Sequence, residues 1–110
     1  MVNWSHSYVQ QNLTMAREHM AKSSDRLRDR VRDAYLSWIA KLSAADMPKE
    51  MRADFDELAG LVSSRPARFD AEGSVAATMA TIGWQKLHRC AALIVNLAAR
   101  ADSLYYEEQV

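Results

Sequence analysis

Met20-Ala21-Lys22-Ser23-Ser24-Asp25-Arg26-Leu27 decides what kind of helical protein this chain builds. Read as an interruption, the Ser-Ser-Asp triplet caps the start of a second helix, because a short hydroxyl or carboxylate at that place accepts from free backbone N–H groups. Read as continuous helix, it is a polar patch on an unbroken rod. Neither serine is followed three residues on by the Glu or Gln that completes a capping box. The apolar spacing also passes through it without a slip. Val9, Leu13, Ala16, Met20, Leu27, Val31, Ala34, Trp38 and Leu42 follow one another in steps of three, four or seven, which places them on one helical stripe. The spacing therefore predicts one helix over about residues 5–43, about 58 Å long at 1.5 Å per residue. A break at Ser23-Ser24 is the alternative, and it adds a fourth helix.

Working outward, neither Gly nor Pro occurs before Pro48, and strand-type alternation is absent. Ala44 to Pro48 reads as a turn, with Asp46 as a cap and Pro48 in the first turn of a short helix over about 47–63. The core stripe of that helix is Met51, Phe55, Leu58 and Val62, and Pro66 lies beyond its end. Residues 65–73 form the one long loop. Ser74 then caps a second long helix over about 75–106, whose apolar arc is wide enough to touch more than one neighbour. The fold class expected is all-α: one domain over 1–110, a small antiparallel bundle in long–short–long order. That order is similar to the helical chorismate mutases, which are intertwined dimers with an arginine-lined pocket. The helical Ser-x-x-x-Gln expected of them near the C-terminus is missing, since Ser103 is followed by Gln109 and not by a Gln four residues on.

Composition narrows the function classes. A hydrophobic fraction of 49% and a charged fraction of 25% suit a folded domain and argue against disorder. Fourteen basic and fourteen acidic residues cancel, so the basic excess that usually drives nucleic-acid binding is absent. The single cysteine, Cys90, forms no internal disulfide and builds no cysteine zinc site. It lies in an apolar stripe and reads as a small core residue. The start of the chain shows no signal-peptide pattern, and no apolar run reaches the ~20 residues of a membrane span. Cytoplasm is the expected compartment, with no membrane role.

The charges are grouped. Lys22, Arg26, Arg28, Arg30, Arg32 and Lys41 outweigh Asp25, Asp29 and Asp33, while Glu50, Asp54, Asp56 and Glu57 outweigh Lys49 and Arg52. An antiparallel pairing of these two segments is expected, with the charges fixing register. The interleaved aspartates make Arg28 and Arg32 members of a solvated or helix-pairing face more readily than a phosphate grip. Arg65, Arg68 and Phe69 share the long loop: two cations and an aromatic there suit an anion or a partner, or Phe69 plugs the bundle end while the arginines stay in water. Glu50, Asp54 and Glu57 share a helical face at Mg²⁺-ligand spacing. The paired acidic motifs of helical nucleotide pyrophosphohydrolases, on two helices, are not present. His6, His19 and His88 lack the Glu-x-x-His pattern of bundle metal sites. No catalytic, metal or cofactor residue is assigned.

The function expected is a non-catalytic helical interaction module: a self-associating adaptor, inhibitor or chaperone-like protein with a protein partner. Two alternatives are an enzyme whose Arg/Glu-lined site forms between subunits, and a nucleic-acid-associated regulator using Arg26 to Arg32. Self-association follows from the long-helix geometry. An unbroken first helix leaves Val9, Leu13 and Met20 bare at one end, and Leu93, Ile94, Leu97 and Leu104 bare at the other. A homodimer would cover both overhangs.

Overall fold

The chain turns back at the two serines. The computed structural model describes residues 4–109, and the side chains of residues 7–107. Helix α1 spans Trp4–Lys22 and α2 spans Leu27–Ala34, so the single rod expected over 5–43 is corrected to a hairpin. No capping box makes the break. The Ser23 hydroxyl accepts from the Asp25 N–H at 3.1 Å, the local side-chain bond that lets serine compete with the helical ladder. Arg30 then reaches back, its Nε donating to the Asp25 carbonyl at 2.9 Å and its Nη1 to the Met20 carbonyl at 3.1 Å. A cation on the last carbonyls of a helix also suits the helix dipole.

Helix α2 runs directly into a π turn, Tyr35–Ile39. The Ala40 N–H donates to the Tyr35 carbonyl, five residues back, at 2.8 Å. That turn holds one residue more than an α turn and shifts the phase locally, while Leu42 beyond it stays buried. Ile39 takes the fully buried place that the uninterrupted stripe assigns to Trp38, and Trp38 moves to a half-buried position at the edge. Two short 3₁₀ turns, Ala44–Asp46 and Lys49–Met51, lead into α3, Arg52–Val62. Asp46 does not cap α3; its carboxylate accepts from both the N–H and the hydroxyl of Ser43 at 2.9 and 3.0 Å, closing the turn before it.

The second long helix is also divided. Helix α4 spans Gly73–Thr81 and α5 spans Trp84–Gln109. Ile82 between them is extended, with ψ 137°. Two β-branched residues followed by glycine are poor helix formers, and the Arg28 guanidinium holds the end of α4. It donates to the carbonyls of Met79, Ala80 and Ile82 at 2.8, 3.2 and 3.5 Å. Gly73 opens α4 at φ +78°, a left-handed conformation that favours glycine.

Five helices without strands therefore make up the described residues, an all-α bundle with two interruptions the long–short–long order did not contain. The architectural likeness to the helical chorismate mutases rested on that order and lapses with it. Helix α5 is the spine: at about 39 Å it runs most of the 47 Å long axis, and α1, α2 and α3 all pack on it. The acidic helix α3 lies against α5 and α4, not against the arginines of α2. Arg89 of α5 takes Glu57 in a two-pronged pair at 2.6 and 2.7 Å, in place of the charge pairing expected with residues 22–41.

Folding α1 back removes the overhangs. Val9, Leu13 and Met20 on α1, and Leu93, Ile94 and Leu97 on α5, are buried in one core within a single chain, with Leu104 packed at its edge. All but the part-exposed Leu104 are closed to a second chain, so the geometric reason for expecting a dimer through these overhangs is withdrawn. Among the described residues no helix is long and apolar enough to cross a membrane.

Candidate functional site at Trp38

Most of the residues singled out for chemistry are used to hold the fold. Arg28 and Arg30 cap helix ends, as above. Arg32 pairs with Asp33 at 2.9 Å and with Asp29 at 3.2 Å. Arg68 is clamped to Glu72: its backbone N–H donates to Oε1 at 2.8 Å and its guanidinium pairs with both carboxylate oxygens. These bonds from Arg68 hold the Glu72 carboxyl below its ordinary range. Phe69 does not plug the bundle end; it is 61% exposed. Arg65 is exposed, and its backbone N–H is tied to the buried Thr78 hydroxyl at 2.9 Å. The loop thus keeps Arg65, Arg68 and Phe69 within five residues without converging them on a pocket.

Glu57 is committed to Arg89, whose hydrogen bonds lower its carboxyl pKa, so the acidic face of Glu50, Asp54 and Glu57 does not gather. Among the described residues no three His, Cys, Asp or Glu side chains come together as metal ligands. The His6 side chain lies outside the described residues. His88 stands edge-on to Trp84, ring centroids 4.2 Å apart. Cys90 is buried in the core, and burial pushes its thiol up to about 11, so it stays protonated and inert at neutral pH.

The surface feature with shape lies elsewhere, where α1 passes the π turn. Two open depressions of about 440 and 520 Å³ meet there, with Met15 and Trp38 forming the wall they share. One continues past Glu18, His19, Lys22 and Ser23; the other is lined by Tyr8, Gln10, Gln11, Asn12, Thr14 and Lys41. Neither is lined by an arginine. Along α1 the groove spans about 14 residues, roughly 21 Å or four helical turns. Its exposed large apolar group is Met15; Leu36, also exposed, lines neither depression.

Trp38 carries the polarity of this wall. Lys41 Nζ stands 5.4 Å from the centre of its ring, a cation–π contact. The indole Nε1 is buried, and among the described residues no acceptor meets it. A buried donor without a partner costs about 1–3 kcal/mol, so the position Trp38 holds is an unfavourable one for a purely structural residue.

The back of the groove is fixed by a polar clamp between α1 and α5. Asp102 accepts from Gln10 at 2.8 Å, Thr14 at 3.4 Å and Arg17 at 3.0 Å. Partial burial alone would raise its carboxyl pKa, but the hydrogen bonds from Gln10 and Arg17, the Arg17 charge and the Thr14 hydroxyl outweigh it and leave the group lowered. Gln10 and Thr14 line the groove, so their orientation toward it is set by Asp102.

Sequence periodicity missed this site because the π turn is invisible to it. An α-phase reading buries Trp38, and only the extra residue in the turn brings the indole to the edge. The abutting apolar residues Leu36, Trp38 and Ile39 were the available signal, since no single α face holds all three. No protein-family model, no curated protein and no solved structure matches the chain.

Proposed function

We propose that this protein is a non-catalytic helical interaction module, and that it receives a helical segment of a partner protein in the groove between α1 and the π turn. The observation that carries the reading is the open groove itself, two depressions that share Met15 and Trp38 as one wall. Aromatic residues with a polar handle are the usual anchors of protein interfaces. A four-turn groove with an apolar floor suits an amphipathic helix that presents residues at i, i+4 and i+7. An acidic side chain near the middle of that helix would meet Lys41, whose ammonium stands over the Trp38 ring. The arginines read earlier as a nucleic-acid surface support this assignment by default, because Arg28, Arg30 and Arg32 already donate within the chain.

Photo-crosslinking from single positions in the native host tests the reading. A probe at Met15 or Gln11 should trap one discrete partner, a probe at Arg100 should not, and Trp38→Ala should abolish the Met15 adduct while leaving the helical circular dichroism intact. An adduct equally strong from Arg100, or unchanged by Trp38→Ala, would sink the proposal.

A further inference from the structure

Helix α5 has a second uncovered face, away from the Trp38 groove. Trp84, Ala92, Val95, Ala99 and Tyr106 are all exposed, Trp84, Val95 and Tyr106 by 68, 43 and 64%. At 100° per residue they fall within about 80° of one another, on one edge of the helix over roughly 33 Å. The polar exposed residues Arg89, Asn96, Arg100 and Glu107 lie to one side of that edge. Exposed His88 lies inside the same arc, edge-on to Trp84, and half-buried Asp102 lies at its border, so the edge is mainly, not wholly, apolar.

The order of residues along it is self-complementary. Trp84 and Tyr106 each stand eleven positions from Val95. Small alanines flank the centre and bulky aromatics close both ends. A twofold axis at Val95 would put Val95 against its own copy, Ala92 beside the partner's Ala99, and Trp84 against the partner's Tyr106. Close approach in the middle with aromatic closure at the ends is what an isologous helix pair requires.

Charge selects the antiparallel direction. The first turn of α5 contains Lys86 and no acid; its last turn contains Glu107 and Glu108 and no base. Both ends oppose the helix dipole, which favours acid at the start and base at the end. The same twofold axis brings Glu107, at the side of the edge, level with the partner's Gly83, where it flanks the partner's positively poled first turn. Each unfavourable end then meets its complement on the other chain.

We infer that a second copy of this chain docks antiparallel along the exposed edge of α5, with the twofold axis at Val95. The inference does not depend on the Trp38 groove, which uses different residues.

Cysteine crosslinking tests it on the whole chain. Val95→Cys should form a disulfide dimer under mild oxidation. Ala92→Cys mixed with Ala99→Cys should crosslink to each other. Ala99→Cys alone should not, because antiparallel copies hold those positions about eight residues, or ~12 Å, apart along the axis. The unsubstituted protein is the control, since its one cysteine, Cys90, is buried. By sedimentation at a few hundred micromolar, the protein should show twice its 12.4 kDa mass. Val95→Glu, a change at an exposed site that leaves the fold intact by circular dichroism, should return it to the monomer. A monomer at that concentration overturns the inference. So does a dimer indifferent to Val95→Glu, or efficient self-crosslinking of Ala99→Cys, which marks a parallel pair.

Discussion

The turn between α1 and α2 and the turn between α4 and α5 perform the same task with different materials. The first is polar and open: four residues, a serine hydroxyl that accepts from the backbone, and Arg30 donating to two carbonyls, one of them on exposed Asp25. The second is tight and half-apolar, with Ile82 buried and Arg28 donating to three carbonyls. Both arginines sit on α2, two positions apart. The first turn is closed by a residue near it in sequence, the second by one more than fifty positions away. A helix C-terminus can thus be finished by any cation that the fold delivers to it, and the positive segment of α2 is spent largely in that way.

Replacing the two arginines measures the difference. Arg28→Met keeps the aliphatic stem and strips the guanidinium from three carbonyls, those of Met79 and Ile82 partly buried and that of Ala80 exposed. It should cost about 2–3 kcal/mol in urea unfolding, within the range for charge-assisted bonds to partly buried groups. Arg30→Met should cost about 1 kcal/mol, since the Asp25 carbonyl is rehydrated without penalty. Equal losses at the two sites would show that the turns are held alike.

Acid separates them in a second way. The return of α1 is also secured by Asp102, whose folded pKa lies below the ordinary aspartate value of 3.8. A carboxyl lowered in the folded state stabilises it fully above the unfolded pKa and stops doing so as pH falls through the folded one. The Arg28 cap has no titrating partner. Amide exchange in α1 should therefore accelerate below about pH 4 before exchange at the Arg28-capped end of α4 does, by a margin smaller than the Arg30 effect. Simultaneous loosening of both would refute a special role for Asp102.

The smallest effect is expected at Gly83. A Cβ there would meet nothing within 4 Å, and its φ is not in the left-handed range. Gly83→Ala should be neutral or stabilising by up to ~0.5 kcal/mol in thermal melts, because alanine restricts the unfolded chain. A loss above ~1 kcal/mol would mean that the second turn needs glycine after all.

The core was readable from the sequence and the turns were not, for a physical reason visible at Met20 and Leu27. They are seven residues apart, the spacing of two helical turns, and both face the same interior. A hairpin whose two arms press on one shared helix keeps its apolar phase across the bend, so periodicity cannot separate it from a rod. Met51, Phe55, Leu58 and Val62 were legible because α3 is short, uninterrupted and packed on one side. At the groove, the apolar stripe assigns Trp38 to the interior. The bond that displaces it, from Ala40 back to Tyr35, is purely backbone and leaves no side-chain signature.

The place of α5 as the spine has a consequence for how the chain acquires its shape. Every other large helix except α4 lays its apolar face mainly or substantially on a segment that is synthesised after all of them. Until α5 has emerged, Val9, Leu13 and Ala16 have only α2 and the turns after it to pack against, some eighty residues of chain being needed before their main partner exists. The nascent protein must carry exposed apolar helices for most of its synthesis. Such non-local closure slows folding and favours aggregation meanwhile, so a holding factor on the ribosome would matter more to this small bundle than its size suggests.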